Sequence, residues 1–118
     1  MNSVALKVNT ESKDQVMTLS LDPNGNHRTF RVQIKYLDYV SKYIISVWDA
    51  MTGEPLAMTI PLVASYNDAA NDLFKQFSYK GIGSLYVAPV VKEPTTPDPT
   101  FGTLGEFEIV WGDSPWLN

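Results

Sequence analysis

Cysteine is absent from the 118 residues. That single fact removes disulfides, thiolate nucleophiles, Cys-ligated zinc and iron–sulfur clusters. Histidine occurs once, as His27, and no Ser/His/acid arrangement with an argued geometry can be built around it. Cationic side chains are few and scattered: 9 Lys plus Arg stand against 13 Asp plus Glu, for a net charge of −4. Without a basic stripe, attraction to a phosphate backbone has no source, so nucleic acid is not an expected partner. Long apolar runs are also missing, the longest being far short of the ~20 residues a spanning helix needs, and no membrane contact is expected. Lys7 interrupts the apolar stretch of the first ten residues, which does not read as a secretion signal. The expectation is a protein made and kept inside a cell or a particle.

What is present is enough for one core. A chain of this length, 44% hydrophobic, can bury roughly two-thirds of its unfolded surface without a metal or cross-link, so residues 1–118 are read as a single domain. Alternation of apolar and polar residues dominates the first half. Met17, Leu19 and Leu21 alternate with Thr18 and Ser20; after the turn signal Asp22-Pro23-Asn24-Gly25-Asn26, the pattern resumes with Phe30, Val32, Ile34 and Tyr36. This predicts a hairpin with one wet face. Residues 42–49 are apolar on both sides, which predicts a central strand. The strand over 56–62 is flanked by Pro55 and Pro61, whose missing donors confine it to an edge or a bulge. A short strand is expected around 4–8, another over 85–91, and a last one where Phe107, Ile109 and Trp111 alternate with Glu106, Glu108 and Val110.

One helix is expected between them. Ser65 is a candidate N-cap, Asp68 suits the positive end of the helix dipole, and Tyr66, Ala69, Ala70, Leu73, Phe74 and Phe77 recur at helical spacing. Asn67, Asn71, Asp72, Lys75 and Gln76 would form its wet face. The fold class is therefore mainly β: a small antiparallel barrel or sandwich of about six to seven strands with one amphipathic α-helix. Residues 92–103, KEPTTPDPTFGT, read as an extended surface loop too poor in apolar area to order itself. Residues 114–118 read as a short tail.

Chemistry-bearing patterns are weak. Asp22 and its neighbours place oxygens as a calcium loop begins, but the sixth and twelfth positions are His27 and Gln33 instead of Gly and Glu. Asx turn chemistry accounts for the same residues. Gly81-Ile82-Gly83-Ser84 follows the expected helix and precedes a strand, the reverse of a phosphate-binding loop. Gly53 and Gly83 are read as backbone pivots. Most of Tyr36, Tyr39, Tyr43, Trp48, Tyr86, Phe107 and Trp111 sit where a small β core needs bulk. No catalytic residue, cofactor or metal site is expected. The Pro-rich loop and the tail are unexplained by a private core, so Pro94, Pro97, Pro99, Phe101, Trp116 and Leu117 are the candidate contact residues.

The order of elements from about Phe30 to Asp113 resembles the small baseplate plug proteins of contractile-tailed bacteriophages. The matching stretches are FRVQIKY at 30–36, the strand ending in Trp48-Asp49, TGEPL at 52–56, IPLV at 60–63, DLFKQF at 72–77, GIGSL at 81–85 and LGEFEIVWGD at 104–113. Their order and spacing carry the match. The resemblance implies a non-enzymatic virion component located in the tail baseplate, and in the host cytoplasm during assembly. It also implies packing with copies of itself and with hub, tail-tube, tape-measure or wedge proteins. The alternative is a soluble β-fold module that binds carbohydrate or peptide on a stacking surface of Tyr39, Tyr43 and Trp48.

Overall fold

Backbone pairing follows the alternation of side chains. The computed structural model describes residues 4–22, 27–65, 72–80 and 82–112, with the side chains of 78–80 left aside. It contains seven strands: β1 (Val4–Ala5), β2 (Asp14–Leu21), β3 (Arg28–Leu37), β4 (Lys42–Asp49), β5 (Pro55–Pro61), β6 (Ser84–Pro89) and β7 (Phe107–Gly112). They form two antiparallel sheets, ordered β2-β3-β4-β5 and β1-β7-β6. Among the described residues neither sheet closes into a barrel; of the two architectures expected, the two-sheet one is observed.

In β3, Phe30, Val32 and Ile34 are fully buried while Arg31 and Lys35 are exposed, because successive side chains leave opposite faces of a strand. Cross-strand register places Val32 beside Val47 and Ile34 beside Ile45. Leu85, Val87, Ile109 and Trp111 of the second sheet join the same apolar cluster. At ~25 cal/mol per Å² of apolar surface removed from water, burial of a side chain of this size contributes about 1.5–3 kcal/mol.

β5 occupies an edge, as its two prolines require. It is also bulged: Val47 pairs with Ala57 but Ile45 with Ile60, so β5 carries an extra residue there. Thr59 lies in this bulge at φ +55°, and its amide donates to the buried Ser46 hydroxyl at 3.0 Å. The turn before β5 needs Gly53 at φ +76°, and Gly83 enters β6 at φ +90°; both are the pivots the sequence suggests.

The expected amphipathic α-helix is not found. Residues 66–71 lie outside the described part, and the chain from Asp72 onward forms a turn and then a 3₁₀ helix, Lys75–Lys80. The reason is competition for amides. Leu73 N–H donates to the Leu85 carbonyl at 2.8 Å, and Phe74 N–H donates to the Asp72 side chain at 2.9 Å. Neither amide is left for a helical ladder. Ser65, the expected N-cap, donates its amide to Val87 O at 2.7 Å, next to a parallel bridge between Ala64 and Val87. Phe74 is nonetheless fully buried, with Leu73 and Phe77 packed on the core.

Two smaller expectations also change. The early strand spans only Val4–Ala5. Glu106 is not on the last strand but ends a 3₁₀ turn, Leu104–Glu106, whose Leu104 is buried in the core.

Candidate interaction surface

The Pro-rich loop is stapled down by hydroxyl and carboxylate groups. Asp98 accepts the Ala64 amide at 2.9 Å and pairs with Lys42 at 3.3 Å. Thr95 N–H donates to the Glu106 carboxylate at 2.7 Å. Thr96 and Thr100 both meet the Thr103 hydroxyl, at 2.9 and 2.8 Å. These contacts correct the expectation of a segment unable to order itself: the loop uses polar anchors where apolar area is lacking.

The contact candidates separate accordingly. Pro99 is buried and Pro94 half-buried, while Pro97 and Phe101 are exposed. Pro99 therefore presents no surface for contact. Phe101 is 45% exposed and lies 6.1 Å from the Tyr36 ring, with the Lys13 ammonium 4.8 Å over it. Lys13 is held in turn by Asp38 at 2.9 Å. The outcome is a small aromatic patch at one end of the four-stranded sheet, in which the Lys13 charge is already shared between the rings and Asp38. Trp116 and Leu117 lie outside the described residues.

Tyr39, Tyr43 and Trp48 do not share a surface. Tyr43 is fully buried, and its hydroxyl donates to Ser12 O at 3.1 Å. Burial pushes its phenol above the ordinary value, with Tyr36 adding to the shift. Trp48 is on the opposite face of β4, half-buried beneath the Arg31 guanidinium at 4.9 Å. Tyr39 is 83% exposed in the β3–β4 turn. The stacking platform of the alternative reading is not assembled.

An open groove of about 590 Å³ runs beside β5, lined by Ile60, Pro61, Val63, Asp72, Leu73, Lys75 and Gln76. Asp72 is its buried carboxylate, and its oxygens accept from Phe74 N–H at 2.9 Å, Leu85 N–H at 3.1 Å and Ser84 Oγ–H at 2.8 Å. This carboxylate clasps the 72–74 turn to β6. Sequence pattern placed it on a wet helix face; only the tertiary pairing of Leu73 with Leu85 reveals its burial. His27 sits on the surface with Nδ1 2.6 Å from Asp22. Among the described residues no three His, Cys, Asp or Glu gather in a metal-binding group, and no helix is long and apolar enough to cross a membrane.

Asp49 organises the β4–β5 turn. Its carboxylate accepts from Met51 N–H at 2.8 Å, from Thr52 N–H at 3.2 Å and from Arg28 at 3.2 Å. The Met51 amide above all, then Arg28 and Thr52, holds its carboxyl below the usual range against the opposing effect of desolvation. Compared with known proteins, the chain matches no family model and no curated sequence.

Proposed function

We propose that this protein is a structural subunit of a bacteriophage tail baseplate, plugging or bracing the central hub region by packing against copies of itself and other tail proteins. The observation that carries the proposal is the ordered series of plug-like stretches from FRVQIKY to LGEFEIVWGD. Two structural facts support an assembly role. The carboxylates best placed to do chemistry, Asp49 and Asp72, are committed to internal amides, which makes them positioning groups. The Pro-rich loop is held in a fixed shape while presenting Pro97 and Phe101 outward, so docking through it would cost little ordering entropy.

Deleting the coding sequence from the phage genome tests this reading. The expected result is lysates with free tubes, sheaths or incomplete baseplates by electron microscopy, restored by the chain supplied in trans. Intact, infectious tails from the deletion would contradict it.

A further inference from the structure

Among the described residues four strand edges bound the two sheets, and three of them are closed to pairing. β5 carries Pro55, Pro61 and the bulge at Thr59. The outer edge of β6 is covered by the Ala64 bridge, the Ser65 amide and the Leu73 amide. β1 has two described residues, Val4–Ala5. These are the devices by which sheets avoid adding strands. β2 has none of them: its eight residues, DQVMTLSL, include no proline, no bulge in register and one charge, Asp14 at the start.

The hydrogen-bond phase of β2 follows from two bonds. Tyr36 N–H donates to its opposite residue Lys13 at 2.7 Å, and Ala50 N–H donates to its opposite residue Thr29 at 3.0 Å. In an antiparallel ladder bonded and non-bonded pairs alternate. Residues 15, 17, 19 and 21 therefore bond to β3, and the N–H and C=O groups of Asp14, Val16, Thr18 and Ser20 point to the free edge. Asp14 is capped there, its amide and carbonyl both bonded to Ser12 Oγ at 3.2 and 2.8 Å. Among the described residues nothing caps Val16, Thr18 or Ser20 in this way, and Val16 is 61% exposed.

We infer that β2 is a self-pairing edge: two copies of this chain join antiparallel along residues 16–20, making one continuous sheet across a two-fold axis. The choice of occupant rests on the assembly role proposed above, and the edge itself supports it in two ways. An antiparallel pairing of β2 with itself supplies each donor with an acceptor from the same set of residues. The register with Val16 opposite Thr18 of the second copy sets Asp14 against Ser20, so no like charges face each other. Centring on Thr18 would instead oppose Asp14 and Asp22. The chosen register also sets Met17 against Met17 and Leu19 against Gln15 on the inner face, covering two half-buried apolar side chains further. Since the other edges are closed among the described residues, the pairing ends at a dimer and does not run on into a fibre.

Charge exchange on this edge is the test. Sedimentation velocity of the intact chain over a concentration series should show a reversible dimer. The surface variants Val16→Lys/Thr18→Lys and Val16→Glu/Thr18→Glu should each be folded by circular dichroism and monomeric, with like charges placed opposite one another across the axis. An equimolar mixture of the two should dimerise again. A wild-type chain that stays monomeric throughout overturns the inference, as does a mixture that fails to associate. A wild-type dimer that the Lys/Lys variant leaves intact also overturns it, while leaving the baseplate reading to stand on its own deletion test.

Discussion

The rings of Phe30 and Trp111 lie with centroids 4.9 Å apart and planes tilted by 35°, joining an inner strand of the four-stranded sheet to the middle strand of the other. Phe74 meets Trp111 from another side at 5.1 Å, nearly edge-on, and the indole N–H donates to the Ile82 carbonyl at 2.6 Å. One side chain thus ties both sheets and the segment between β5 and β6 together. Trp111→Ala is expected to destabilise the fold by about 3–5 kcal/mol, the cost of a large buried aromatic. Trp111→Phe keeps a ring but leaves the Ile82 carbonyl without its donor, and should cost about 1–3 kcal/mol. Urea denaturation followed by tyrosine fluorescence or circular dichroism measures both; a Trp111→Phe variant as stable as the wild type would deny the hydrogen bond a role.

Asp72 should behave as a structural clasp. Asp72→Ala leaves the buried amides of Phe74 and Leu85 and the Ser84 hydroxyl without their acceptor, an expected loss of at least ~1–3 kcal/mol. Hydrogen exchange at Phe74 and Leu85 should accelerate more than exchange in β3. A uniform change across the chain would contradict a local clasp.

Asp98 is the fastening of the Pro-rich loop. Asp98→Ala removes the acceptor of the Ala64 amide and the Lys42 pair, and should cost about 0.5–1.5 kcal/mol. Limited proteolysis should then cut within 92–103 faster than in the wild type. Unchanged cleavage would show that the threonine hydroxyls and the Glu106 carboxylate hold the loop without Asp98.

The turn at Asp49 gives a pH signature. Its folded-state carboxyl is held below the ordinary value of about 3.9, so the stabilisation it brings is present above that value and is lost as pH falls through the lower, folded one. Asp49→Asn removes this titration. The stability difference between wild type and Asp49→Asn should be greatest near neutral pH and shrink as the pH drops below about 4. A difference independent of pH would remove the charge from the account.

Much of the sheet architecture is legible in the chain because burial on one face leaves a period of two. Phe30, Val32 and Ile34 against Arg31 and Lys35 define β3 and its inner face, and Pro55 and Pro61 mark β5 as an edge. The helix misled because helical spacing at Leu73, Phe74 and Phe77 describes what is buried, not which amides are free to bond. The Leu85 carbonyl claims the Leu73 amide, and the Leu85 amide in turn binds Asp72 across 13 residues, a pairing that local pattern does not encode. The order within the Pro-rich loop was hidden for the same reason, since Asp98 finds its partners at Lys42 and Ala64. The open edge of β2 depends on sheet order, and no residue within β2 announces it.

The proposal that the chain is a built-in part of a tail is tested most directly by the composition of the particle. Contractile tails purified by density gradient from the phage encoding this chain should contain it, by quantitative mass spectrometry, at a fixed integral ratio to the other baseplate proteins. That ratio should persist through repeated gradients. Finding the chain only in the soluble fraction of the lysate, with purified tails infectious and free of it, would contradict the account.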